Sequence, residues 1–269
     1  MEALECTASD GVRCAARVAG RTGDPLIFVH GFDTTAEVWE SQLSSLSRRF
    51  RCAAVELRGN GVAPLPVKLS SITCEGFACD VLAVADALGA PSFHLIGCDL
   101  GGIAGLELWR RAPERIAGIA LLGSFAAFPH GKTIAKTVIE DALEAKTMVA
   151  YAERHVELVL PPRAPAFQRT RLVRQLALKD RRAYSRFALA TWTADYRGLL
   201  ASMDIPTLVL WGEHDRITPR ACSEELAAAI PGARQITVPD AGHLVQADAP
   251  VFVNAALEAF VRPTPNPRP

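Results

Sequence analysis

Gly97-Cys98-Asp99-Leu100-Gly101-Gly102 is the stretch on which the reading of this chain turns. Residues 92–96 before it (Ser-Phe-His-Leu-Ile) have the length and character of a short buried strand, and residues 103–111 after it carry apolar side chains at helical spacing. Strand, glycine-flanked turn and helix together describe a sharp corner that lifts its central side chain clear of a sheet edge. That side chain is a carboxylate. An aspartate between glycines is by itself an ordinary turn residue, so any chemistry assigned to Asp99 depends on what the other strand ends carry.

Working outward, strand-like runs at 4–8, 13–18, 26–29 and 52–57 come first, with a helical segment at 35–46 before the last of them. A helix at 74–88 precedes the glycine turn, and residues 116–122 form a continuous apolar run of the kind buried in parallel sheets. From 125 to 203 the pattern is helical only, rich in arginine and alanine and broken by Pro129, Pro161, Pro162 and Pro165. Alternation resumes with a strand at 207–211, a helix at 220–229, a strand at 234–238 and a helix at 251–261. The expected architecture is therefore α/β: a mostly parallel twisted sheet flanked by helices, with an inserted helical cap. Its parts are a core at 1–124, the cap at 125–203, the rest of the core at 204–262, and a proline-rich flexible tail at 263–269.

The 269 residues are 49% hydrophobic and 22% charged, enough for one sizeable core. Formal net charge is zero and the basic residues are scattered, which argues against a nucleic-acid partner. No apolar run approaches the roughly 20 residues of a membrane span. The first residues also lack the basic and apolar regions of a secretory leader. A cytoplasmic protein without a membrane partner is expected. The seven cysteines form no C-x-x-C pair, and the six histidines no H-x-x-x-H, so neither a disulfide framework nor a metal is implied. Cys98, beside Asp99, is expected to pack in the core.

Three further signals sit at strand ends, where open parallel sheets place their ligands. In Val29-His30-Gly31-Phe32 the glycine lets the backbone bend, so that the Phe32 amide points at the turn and, with the Leu100 amide, makes an oxyanion hole. His30 reads as a hydrogen-bonded structural histidine, and Asp33 as a turn or cap residue. Asp215, in Trp211-Gly212-Glu213-His214-Asp215, lies where an acid can orient a base. His243, in Asp240-Ala241-Gly242-His243, follows the last strand. The order Asp99, Asp215, His243, each at a strand end, forms a catalytic triad in the order nucleophile, acid, histidine.

With His30-Gly31, Arg58-Gly59-Asn60-Gly61, Gly212-Glu213-His214-Asp215 and Gly242-His243, the chain resembles the α/β-hydrolase superfamily along nearly its whole length. Its last third is similar to enol-lactonases and carbon–carbon bond hydrolases, whose corner reads Gly-x-Ser-x-Gly-Gly. Asp99 departs from them and resembles the epoxide hydrolase and dehalogenase branch. The resemblance implies a cofactor-free hydrolase acting on a small apolar organic substrate and water. Asp99 attacks carbon to form an alkyl ester, and a water activated by His243 cleaves it. The chemistry supports the swap: carboxylate attack on an ester gives an anhydride that collapses backwards, whereas attack at saturated carbon gives an ordinary ester.

Epoxide opening is favoured over dehalogenation. Tyr151, Tyr184 and Tyr196 all fall in the helical insertion, and the resemblance implies that cap tyrosines protonate the ring oxygen. Tyr196 is preferred because it comes late in the cap. Leu100 stands where halide-binding relatives carry tryptophan or arginine, although Trp192 offers one indole. Tyr196, Tyr184 and Trp192 are thus the expected substrate contacts. The sequence also departs from the His-Gly-x-Pro frequent in epoxide hydrolases, having Asp33 in place of proline. A dehalogenase, an ester, lactone or carbon–carbon hydrolase relative, a lyase or cyclase using Asp99 as a base, and a binding protein on a hydrolase fold stay open, as does a homodimer.

Overall fold

The computed structural model describes residues 1–261, so the tail expected at 263–269 lies outside the described residues. Eight strands form one sheet in the order β1-β2-β4-β3-β5-β6-β7-β8. They are β1 (Glu2–Thr7), β2 (Arg13–Ala19), β3 (Pro25–Val29), β4 (Arg51–Glu56), β5 (Phe93–Cys98), β6 (Ile116–Leu122), β7 (Thr207–Gly212) and β8 (Arg234–Val238). The β1–β2 and β2–β4 pairs are antiparallel, and the other pairs are parallel.

Strand side chains point alternately to the two faces, and the central strands are apolar on both. Ile27 and Val29 of β3 enter one core with α2 (Cys74–Ala87), α3 (Leu100–Arg111) and α8 (Arg220–Ala229). Leu26 and Phe28 enter the other, with α1 (Glu40–Leu46) and α10 (Pro250–Val261). Both faces are thus covered, as a parallel sheet requires. Among the described residues no helix is long and apolar enough to cross a membrane.

Between β6 and β7 lie α4 (Gly131–Glu144), α5 (Met148–Val159), α6 (Ala166–Ala177) and α7 (Arg181–Trp192), with one isolated bridge, Ala127 to Asp195, at their base. Their starts are set locally. The Thr147 hydroxyl accepts from the Ala150 amide at the start of α5, and the Asp180 carboxylate accepts from the Arg182 and Ala183 amides at the start of α7. The insertion docks through polar contacts: Arg171 pairs with Glu40 at 2.8 Å, and Arg174 with Glu37 at 2.6 Å.

Element boundaries differ from the sequence reading, most tellingly at the corner. The helix expected at 103 begins at Leu100, and β5 runs on to Cys98. Glycine contributes nothing to hydrophobic periodicity, so the first turn of α3 was invisible to it. The reason for glycine there is steric, because a Cβ on Gly101 would stand 2.1 Å from the Val29 carbonyl oxygen. In addition, the segment expected as one helix at 35–46 divides into a 3-10 turn, Ala36–Trp39, and α1.

Candidate active site

Asp99 sits at the corner between β5 and α3 with φ 50° and ψ −114°, a conformation disfavoured for a residue with a side chain. It is held by neighbours that leave no room to relax. Its amide donates to the Leu122 carbonyl, its own carbonyl accepts from the Ser124 hydroxyl at 2.9 Å, and a Cβ on Gly31 would lie 3.1 Å from its Oδ2. The carboxylate is 3% exposed. Oδ2 accepts from the Phe32 amide at 2.8 Å, and the Leu100 amide is a second backbone donor to the group. Oδ1 is buried and has no hydrogen-bond partner among the described residues. Burial pushes the Asp99 carboxyl up to about 6, against the lowering effects of His243 and the two amides.

His243 follows β8 and is also buried. Its Nδ1 lies 3.0 Å from Oδ2 and 3.2 Å from Oδ1 of Asp215, which leaves Nε2 free of that carboxylate. Asp215 is itself fixed, because its Oδ1 accepts from the Ile217 and Thr218 amides at 2.8 and 2.9 Å. Burial alone would lower His243. The charges of Asp215 and Asp99 and the hydrogen bond from Asp215 outweigh it and push the imidazole up to about 9. Near neutral pH the resting pair is therefore carboxylate and imidazolium.

The loop that carries Phe32 is anchored from below by His30. The Leu57 amide donates to its Nε2 at 3.2 Å, so Nδ1 carries the proton and donates to the Gly31 carbonyl at 2.8 Å. Burial, helped by the charge of Lys179, pushes this imidazole down to about 3 and keeps it neutral. Cys98 is fully buried in the core as expected.

The expected substrate contacts separate. Tyr184 packs on Phe32 with ring centroids 4.6 Å apart and planes tilted by 40°, and its hydroxyl donates to Asp33 Oδ1 at 3.1 Å. Trp192 packs among Phe32, Phe125 and Phe128, with its indole Nε1 buried and unpartnered among the described residues. Tyr196 goes elsewhere: its hydroxyl donates to Glu107 Oε2 at 3.0 Å. Glu107 lies eight residues along α3 from Asp99, about 12 Å at helical rise. The reading of Tyr196 as a substrate contact is corrected on that ground, since proximity in sequence to β7 did not bring it to the corner.

A second polar cluster escaped the sequence reading. Asp33, expected as a turn or cap residue, is neither the side-chain cap of the following turn, which is Thr35, nor solvent-facing. Its Oδ2 pairs with His155 Nε2 at 2.8 Å. The Tyr151 hydroxyl lies 3.4 Å from His155 Nδ1 and 2.9 Å from the Tyr184 hydroxyl, closing a ring through Asp33. Asp33 is held below its ordinary value by the charge of and hydrogen bond from His155 despite burial, and His155 is raised by the same partner. Lys179, between α6 and α7, reaches into the same loop. The one available signal was the aspartate immediately after Phe32. Its partners lie in helices whose facing no local pattern specifies.

A cleft of about 540 Å³ opens at the seam of α1, α6 and α9 (Val245–Asp248), with Thr34, Leu160, Leu172 and Leu244 in its walls. Thr34 and Leu244 directly follow Asp33 and His243, so the cleft flanks the site. Away from it, Glu213, His214 and Asp240 bring three ligand-type atoms within 4.8 Å of one another, all exposed.

Three curated relatives align over most of the chain. Epoxide hydrolase 4 of Mus musculus is 26% identical over 94% of this chain and 77% of its own length. 3-Oxoadipate enol-lactonase 1 of Acinetobacter baylyi is 24% identical over 97% of this chain and 98% of its own. The dihydrolipoyllysine-residue acetyltransferase component of the acetoin cleaving system of Pseudomonas putida is 28% identical over 91% of this chain, which spans only 65% of that relative's length. Among solved structures, a hydrolase from Pseudomonas aeruginosa superposes with a TM-score of 0.89 at 30% identity, covering 97% of this chain and 99% of that one. The family model for the alpha/beta hydrolase fold matches residues 24–250, and the chain belongs to that family.

Proposed function

We propose that this α/β hydrolase opens an epoxide to a diol through an alkyl ester on Asp99, with the helical insertion as its cap and no cofactor. The observation that carries the proposal is the arrangement of the two carboxylate oxygens. Oδ2 occupies the Phe32 amide, and Oδ1 has no partner among the described residues. In a serine enzyme the hole receives the substrate's carbonyl oxygen; here the enzyme's own oxygen fills it, which suits a carboxylate that becomes the acyl half of the intermediate.

Oδ1 attacks a ring carbon, the carbon–oxygen bond breaks, and the ring oxygen takes a proton from Tyr184, refilled through Tyr151 from His155. The ester carbonyl is then Oδ2, already seated on the Phe32 amide. Alkylation removes the Asp99 charge, one of the causes that raise His243, so the imidazolium gives up its proton more readily and neutral imidazole becomes available as a base once the ester exists. His243, in its neutral form, takes a proton from water, the hydroxide adds to Cγ, and the tetrahedral oxyanion rests on the Phe32 and Leu100 amides. His243 returns its proton to the departing product oxygen. The carboxylic acid left on Asp99 passes its proton to His243, and the proton that His243 released to solvent after alkylation replaces the one His155 gave up, so the resting states return with one water consumed and no net proton.

Dehalogenation is the second reading, favoured by the Trp192 Nε1–H, which has no partner among the described residues and could donate to a halide. Incubation with styrene oxide and with 1-chlorobutane separates the two. The proposal expects diol from the first and no chloride from the second. Chloride release without diol favours dehalogenation. Hydrolysis of p-nitrophenyl acetate alone contradicts both.

A further inference from the structure

Lys179 is a buried cation that the chemistry above does not use. It is 7% exposed and lies in the turn between α6 and α7, fixed by the Asp180 cap. Its ammonium has three protons to donate. They go to the Phe32 carbonyl at 2.9 Å, the Thr34 carbonyl at 3.5 Å and the Asn60 side-chain oxygen. All three acceptors are neutral. Burying an ammonium on neutral oxygens is an expensive way to fill space, and an apolar side chain of similar size would pack without that desolvation. What the ammonium supplies is a grip on the backbone on both sides of Asp33, in the loop whose Phe32 amide meets Asp99.

That loop needs a grip. It lacks the proline that would stiffen it at position 33. Its internal ties are all between Gly31 and Thr34: the Gly31 amide on the Thr34 hydroxyl at 3.1 Å, and the Thr34 amide and hydroxyl on the Gly31 carbonyl, each at 3.3 Å. Charged neighbours Asp33, Glu56 and Asp99 favour the ammonium, and the Phe187 ring lies 5.5 Å from it on the insertion side. Burial still pulls Lys179 down to about 8.

We propose that Lys179 is a positioning residue through which the helical insertion holds the oxyanion loop and keeps the Phe32 amide on the Asp99 carboxylate. The kinetic part rests on the alkyl-ester reading. Displacement at carbon needs Oδ1, whereas ester cleavage builds negative charge on Oδ2, so a slack loop slows the second step selectively.

Two readouts separate this inference from the reading beneath it. With selective ¹⁵N-phenylalanine labelling, and Phe32→Leu to assign the resonance, the Phe32 amide proton is expected to move upfield in Lys179→Met and to return in Lys179→Arg. This requires no turnover. An unchanged Phe32 resonance in Lys179→Met overturns the positioning role. With styrene oxide, Lys179→Met is expected to lower kcat about 10- to 100-fold, below the full loss of an oxyanion donor. Alkyl-enzyme should accumulate in the intact mass while its rate of formation stays within about threefold. Equal slowing of both steps overturns the kinetic role. His243→Ala is the control: if it fails to accumulate adduct, the alkyl-ester reading falls while the resonance result stands. If Lys179→Met does not fold, Asn60→Ala, which removes one of the three acceptors, is expected to move the resonance in the same direction. No movement there counts against the proposal.

Discussion

Replacing Asp99 with asparagine should make the protein more stable near neutral pH, and the gain should vanish in acid. The side chain is isosteric, and its amide oxygen can still accept from the Phe32 and Leu100 amides. What disappears is a buried charge. Asp99 is raised from 3.8 to about 6, mainly by burial. A raised carboxyl binds a proton more tightly in the folded than in the unfolded chain, so folding stability falls as pH rises from 3.8 to 6 and is level above. The difference corresponds to about 3 kcal/mol. Asp99→Asn escapes that fall. Relative to the native protein it should gain little at pH 3.8 or below, and up to about 3 kcal/mol above pH 6, or about 5–10 °C in Tm. Urea unfolding of both proteins at pH 4, 5, 6, 7 and 8 measures this. A difference independent of pH, or a loss of stability at pH 8, refutes the reasoning, because the corner would then hold the carboxylate without cost.

Two further expectations follow from the same electrostatics. In the free enzyme kcat/KM for styrene oxide should rise with pH through about 6, where Asp99 ionises; a limb near 4 would mean that burial does not raise the Asp99 carboxyl. Arg58→Met should cost about 3–5 kcal/mol, read as a urea midpoint shift. It strips the guanidinium from the fully buried Asp80 carboxylate 2.7 Å away, and a cost below about 1 kcal/mol would mean that Asp80 takes up a proton instead.

The glycine spacing and apolar runs made the corner, Asp215 and His243 legible, because each is tied to the end of a strand that its own residues specify. Positions in the insertion were legible only in part. In α7, Tyr184, Phe187, Ala188 and Thr191 repeat at helical spacing and are all buried, so the inward face of Tyr184 could be read from the pattern. Tyr196 lies beyond that helix, where the Ala127–Asp195 bridge turns the chain and sends its hydroxyl to Glu107. Lys179 and His155 could not be foreseen. Each is a polar residue whose partner is more than a hundred residues away in the loop that carries Phe32 and Asp33, so its meaning exists only after the helices between β6 and β7 have docked.

The most direct test of the central claim is one turnover in H₂¹⁸O, with enzyme in excess over styrene oxide, followed by mass analysis of the peptide containing Asp99 and of the diol. Attack by Oδ1 transfers an enzyme oxygen to the product and replaces it from water. The account therefore predicts a gain of about 2 Da in the Asp99 peptide and an unlabelled first diol. Label in the diol with none in Asp99 would contradict it, showing that water reaches the substrate directly and that the carboxylate serves only as a base.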